Sequence, residues 1–202
     1  MSDTSSGSAG AVARVRALLE ASAQVKLDLA VESAAAVARA AEIVAASLRR
    51  GGKVLLFGNG GSAADAQHLA AEWTGRLRGE RAALPAIALT ANTSELTALG
   101  NDYGFERVFA RLVEAHGREG DVAWAISTSG NSPNVIAAVE TARQRGLHTI
   151  GLTGRRGGKL APLVDLALCV PSDDTQRIQE AHITLAHVVA ELVEEALLDR
   201  RA

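Results

Sequence analysis

The chain has 202 residues and a mass of 20.9 kDa, with 48% hydrophobic and 22% charged residues, the make-up of one soluble globular domain that can bury a real core. A formal net charge of −2 and a pI near 6.2 leave no basic field for a nucleic acid or an anionic membrane surface. A single cysteine, Cys169, excludes an internal disulfide framework and a thiolate zinc cluster, and the expected setting is reducing and cytoplasmic.

Met1 to Gly10 is rich in Ser, Gly and Ala, with no basic n-region and no apolar core, so residues 1–10 are expected to be a disordered leader and neither a signal nor a span. Residues 11–50 contain no Gly or Pro, and apolar residues recur at helical spacing: Val15, Leu18 and Leu19, then Leu27 through Val37 and Val44 to Leu48. The spacing predicts one or two amphipathic helices, which either cover a sheet face or pack against the same segment of another subunit. The stripe exceeds what a five-stranded sheet needs for cover, which favours a homo-oligomer.

After Gly51-Gly52 the pattern changes, and residues 51–202 form the second part of the chain. Short apolar runs at 54–57, 86–89, 122–126, 149–152 and 166–170 suit strands buried on both faces. Helical stretches lie between them at 62–77, 94–114, 133–145 and weakly around Leu160, with a strongly periodic last helix over 175–200. The alternation predicts an α/β fold: a sandwich with a parallel sheet, right-handed crossovers and ligands beyond the carboxyl ends of the strands.

The loop after the first strand, Gly58-Asn59-Gly60-Gly61-Ser62, lets a ligand approach the backbone closely, and Ser62 with Asp65 suggests a helix N-cap. Gly58, Gly60 and Ala63 also fit a dinucleotide fingerprint, but the second strand ends Leu89-Thr90-Ala91-Asn92, without the carboxylate that would hold a ribose. No Gly-Lys-Ser or Gly-Lys-Thr occurs, so a P-loop is excluded. The loop after the third strand, Ser127-Thr128-Ser129-Gly130-Asn131-Ser132-Pro133, offers four hydroxyls at a helix start and no lysine. That suits holding a phosphate monoester better than transferring it.

Asp65, His68, Glu72 and Arg76 fall on one helical stripe, where His68 and Glu72 either share a metal ion or substrate or belong to a solvated charged ladder. His187, on the last helix, is set among apolar neighbours, where a lone histidine is ordinarily a satisfied core residue.

Five separated motifs combine with this pattern: Gly58-Asn59-Gly60-Gly61-Ser62, Gln67-His68-Leu69-Ala70-Ala71-Glu72, Leu99-Gly100-Asn101-Asp102-Tyr103-Gly104-Phe105, Ser127 to Ser132, and Arg177-Ile178-Gln179-Glu180-Ala181-His182. Together, from about residue 12 onward, they resemble the phosphoheptose isomerases of the sugar-isomerase (SIS) domain superfamily. The resemblance implies a three-layer, flavodoxin-like SIS fold with a five-stranded parallel sheet, and a cytoplasmic homotetramer with active sites at subunit interfaces. It implies conversion of sedoheptulose 7-phosphate to D-glycero-D-manno-heptose 7-phosphate. Asn59, Gly60, Gly61, Asn101 and Asp102 would touch the sugar, with Glu72 and Gln179 also at the substrate, while Ser127, Thr128, Ser129 and Ser132 hold the phosphate. Glu72 and His187 would transfer protons, and His68, Glu72, Gln179 and His187 would hold zinc. Asn92 and Gln176 stand where some members carry acidic residues, which bears on sugar preference.

Gln179 and His187 are eight residues apart, or ~12 Å along and ~80° around a continuous helix. A shared ion then needs either an irregular helix start near Gln179 or a ligand from a second subunit, and the resemblance favours the second. The contrasting function is a non-catalytic SIS module that senses sugar phosphates or binds a replication initiator. A sensor would carry a basic DNA-binding segment, and a protein-binding relative would have lost the Glu72 and His187 types that this chain keeps.

Overall fold

The structure is a computed structural model that describes residues 4–198. Two helices, α1 (Thr4–Glu32) and α2 (Ala34–Arg49), lead into the alternating part: β1 (Val54–Gly58), α3 (Gly61–Thr74), β2 (Ala86–Ala88), α4 (Thr93–Tyr103), α5 (Val108–His116), β3 (Val122–Ile126), α6 (Pro133–Gln144), β4 (His148–Thr153), β5 (Leu166–Cys169) and α7 (Thr175–Leu198). The five strands are all parallel, in the order β2-β1-β3-β4-β5. The order reverses between β1 and β3, so the loops after these two strands open side by side at one end of the sheet.

Successive residues of a strand point to opposite faces, and β1 and β3 divide their side chains accordingly. Val54, Leu56, Trp124 and Ile126 join one core with Val44, Leu69, Trp73, Leu185 and Val189 from α2, α3 and α7. Leu55, Phe57, Ala123 and Ala125 join the other with Phe109, Leu112, Val135 and Val139 from α5 and α6. The helices on the two faces and the sheet between them are the three layers of the expected sandwich.

Several boundaries differ from the sequence reading. α1 begins at Thr4, inside the segment expected to be a disordered leader, although Gly7 and Gly10 are poor helix formers; residues 1–3 lie outside the described residues. The helix expected over 94–114 is two, broken where Gly104 takes φ +78°, a left-handed turn that glycine adopts without strain. α3 ends at Thr74, so Arg76 leaves the stripe of Asp65, His68 and Glu72 and pairs instead with Glu80. Its N-cap is Gly60; Ser62 lies within the helix and is buried.

α1 rests on α7 by few contacts: Arg177 donates to the Leu18 carbonyl, Ser22 to the Glu180 carboxylate, and Leu29 is buried. Leu19, Leu27 and Val31 remain 66%, 61% and 87% exposed, a large apolar surface for one helix. Among the described residues no helix is long and apolar enough to cross a membrane.

Candidate active site

The loop after β3 is built by its own hydrogen bonds. The Ser127 and Ser132 hydroxyls lie 3.0 Å apart, and Ser129 Oγ accepts the Asn131 N–H. Pro133 opens α6, and Ser132 takes the cap position without a capping side-chain bond, which leaves its hydroxyl to Ser127. The neighbouring loops lock onto this one: Gly154 N donates to the Thr128 carbonyl and Leu160 N to the Gly130 carbonyl. At Gly130, φ +66°, an added Cβ would meet the Gly157 carbonyl oxygen at 2.2 Å, so the close packing of these two loops depends on glycine.

The loop after β1 is fixed to the same helix start. Asn59 and Asn134 exchange two side-chain hydrogen bonds of 2.9 Å, each amide donating to the other's carbonyl oxygen. Asn59, Gly60 and Gly61 therefore stand beside Ser127–Ser132. Sequence reasoning missed Asn134; its place one residue into a helix after a serine-rich loop is a weak signal.

His68 and Glu72 on α3 meet His187 on α7. The two imidazole Nε2 atoms are 2.8 Å apart, the His68 Nε2 is 3.4 Å from Glu72 Oε1, and the rings meet edge to face. One hydrogen can lie between the two Nε2 atoms, so one ring donates and the other accepts. His68 is exposed and the other two are half-buried, in a cleft rimmed by Leu77, Arg78 and Glu191. His187 is thus half-buried against His68 and is not a satisfied core histidine. One turn before His68, Asp65 has an Oδ2 that is buried with no partner among the described residues. Burial pushes its carboxyl up to about 6, against the opposing pull of His68.

The ligand atoms of His68, Glu72 and His187 all lie within 4.8 Å of one another, and two imidazoles with a carboxylate are a donor set that zinc accepts. Gln179 is elsewhere in this chain. α7 is regular from Thr175, which removes the irregular helix start, and the Gln179 amide lies over Gly61, where an added Cβ would meet its Nε2 at 1.7 Å. Asn101 and Asp102 lie exposed at the end of α4, bonded to each other. Within one chain these three do not join the His68 cluster.

Residues 18–154 match the SIS domain family. The phosphoheptose isomerase of Rhodospirillum rubrum is 57% identical over 183 residues, 91% of this chain and 97% of that protein. The chain belongs to the phosphoheptose isomerase family. Among solved structures, the phosphoheptose isomerase of Neisseria gonorrhoeae is 48% identical with a TM-score of 0.85, covering 90% of this chain and 97% of its own. That of Francisella tularensis is 39% identical with a TM-score of 0.88, covering 92% and 98%. Family membership makes the chain an enzyme, an isomerase acting on a sugar phosphate, and accounts for the five-stranded parallel sheet and the helical N-terminal segment.

Proposed function

We propose that this phosphoheptose isomerase family member converts sedoheptulose 7-phosphate to D-glycero-D-manno-heptose 7-phosphate through an enediol, with Glu72 and His187 as the proton-transfer pair. The observation that carries the reading is the meeting of Glu72, His68 and His187 from two helices, with the hydroxyl loop at the carboxyl end of the same sheet. In a ketose-to-aldose step, one group takes a proton from C1 while another protonates the oxygen on C2. The enediol then accepts a proton at C2 from the protonated catalytic group as the oxygen on C1 gives up its own, and no atom is gained or lost. The carboxylate and the imidazole are suited to these two duties. Ser127, Thr128, Ser129 and Ser132 hold the phosphate, whose binding energy positions the carbons. The chain keeps the complete acid–base pair, so a purely binding role is not favoured.

His68, Glu72 and His187 are the residues of this chain that would hold a zinc ion, which when bound polarises the substrate carbonyl. The fourth expected ligand, Gln179, comes from a second subunit in this reading, as do Asn101 and Asp102 for the sugar. The exposed apolar face of α1 supplies the surface for a homotetramer with interface sites. The free Cys169 suits a cytoplasmic enzyme. Incubating the purified protein with sedoheptulose 7-phosphate and following the aldose C1 proton by NMR tests the reading; the absence of aldose under these conditions would refute it.

A further inference from the structure

The segment joining α3 to β2, residues 75–85, is tied down by one buried ion pair that no proton-transfer or phosphate-binding duty uses. Arg81 and Glu194 meet at 2.9 Å with side chains only 3% and 4% exposed. Glu194, on α7, also accepts the backbone N–H groups of Leu77, Arg78 and Gly79. Arg81 donates to the carbonyls of Glu72, Trp73, Gly75 and Ala82, so its guanidinium closes the carboxyl end of α3. Burial pushes the Glu194 carboxyl up, but the N–H groups of Gly79, Leu77 and Arg78 and the Arg81 guanidinium outweigh it and hold the group below its ordinary range.

The geometry links this pair to the reacting groups. Glu194 lies seven residues after His187, two turns along the same face of α7, and Glu191 between them pairs with Arg78 at the rim of the cleft. At the other end, Arg81 Nη2 bonds the carbonyl of Glu72 itself at 2.8 Å. One ion pair therefore grips the helix that carries His187 and the residue that carries the carboxylate. A buried ion pair offers little net stability over apolar packing, but its geometry is directional.

We propose that Arg81 and Glu194 are positioning residues for the isomerisation: they fix α3 against α7 in the register that brings Glu72 and His68 to His187. The inference rests on the reading that these three groups act together. Lysine at position 81 would keep the charge but has a single ammonium for one carboxylate and four carbonyls.

The test compares Arg81→Lys and Glu194→Gln with two references, Glu72→Gln and Asp121→Asn, all assayed well below each variant's melting temperature. Asp121 is also buried and ion-paired, with Lys53, but it sits at the opposite end of the sheet. In Arg81→Lys and Glu194→Gln kcat is expected to fall on the order of tenfold or more, with KM within about twofold, since the hydroxyl loop is on other elements. Asp121→Asn should lose thermal stability while keeping kcat. If Arg81→Lys fails to fold, Glu194→Gln carries the test. Wild-type kcat in the folded clamp variants, beside an inactive Glu72→Gln, overturns the positioning role alone; so does an equal fall of kcat in Asp121→Asn. Wild-type turnover by Glu72→Gln would overturn the underlying reading and this inference with it.

Discussion

The two halves of the site are built differently. The loops that would receive the phosphate end are completed within one chain: Ser127 reaches Ser132, Asn59 reaches Asn134, and Gly154 and Leu160 lock the turn from outside. The cluster at the reacting end is an open cleft between α3 and α7, with His68 exposed and with Gln179, Asn101 and Asp102 elsewhere. A sheet's carboxyl edge supplies backbone-rich cradles from local sequence, whereas side chains from distant helices depend on how those helices are held. In this reading the phosphate cradle is finished within one chain, while the sugar contacts of Asn101 and Asp102 and the chemistry wait for a second subunit.

That contrast can be broken by mutation. Glu72→Gln and His187→Ala should each lower kcat by at least ~10²-fold in a protein that still folds, as loss of a general acid or base does, with a fall in melting temperature no larger than that on removing metal. Near-wild-type turnover in steady-state assays would remove the chemistry from the open cleft.

A second effect concerns the closed side. His182, on α7, is buried with Nε2 3.1 Å from the Thr153 carbonyl, to which it donates, and with no partner for Nδ1 among the described residues. Burial lowers its pKa from 6.5 to about 4, against the pull of the Thr153 bond. The unfolded chain binds the proton first, so the contribution is complete above pH 6.5 and is lost as pH falls towards about 4, for about 3 kcal/mol in all. Urea titrations across that window should show the decline, and His182→Gln should flatten it; an unchanged slope would mean that His182 titrates normally.

A smaller shift is expected on removing metal. Chelation should lower the melting temperature by about 5 °C, and zinc should restore it in the wild type but not in a His68→Ala, His187→Ala double variant. If the assembled state alone completes the ligand set, light scattering will show tetramer loss in step with zinc loss. No metal by elemental analysis, with zinc neither activating nor stabilising, would leave these residues as acid–base and hydrogen-bonding groups.

Least in energy is Ser129→Ala, which should raise KM about tenfold, or about 1.4 kcal/mol, with kcat nearly unchanged. A fall confined to kcat would place Ser129 at the reacting end and blur the distinction between the halves.

The sequence discloses these halves unequally as well. β1 and β3 are legible because strands buried on both faces are continuously apolar, and Pro133 marks the start of α6 by chemistry alone. Glycine is an ambiguous sign: Gly104 sits inside a helical pattern and breaks it, while Gly60 and Gly61 admit a helix two residues earlier than the hydroxyl of Ser62 suggests. The reacting groups are legible by family resemblance, since His187 among apolar neighbours gives no local hint of His68 on another helix. Arg81 and Glu194 are invisible for a physical reason: charged residues in a loop and on a helix read as solvated, and only the tertiary fold shows them buried. Gln179 differs: its eight-residue spacing from His187 already puts the two apart on one regular helix, and α7 is regular from Thr175.

The apolar face of α2 packs on α7, with Val37, Ala40, Val44 and Ala45 against a core that includes Leu185, Val189 and Val193. Arg49 reaches across to the Ala196 carbonyl. During synthesis, therefore, α2 leaves the ribosome well before α7, and the part of its stripe that α7 covers waits for that helix. At ordinary translation speeds the interval is on the order of ten seconds. Throughout that time the nascent chain carries an adhesive stripe, and a message truncated before the final helix would yield a product that exposes it permanently and meets the cell's quality control as an aggregate.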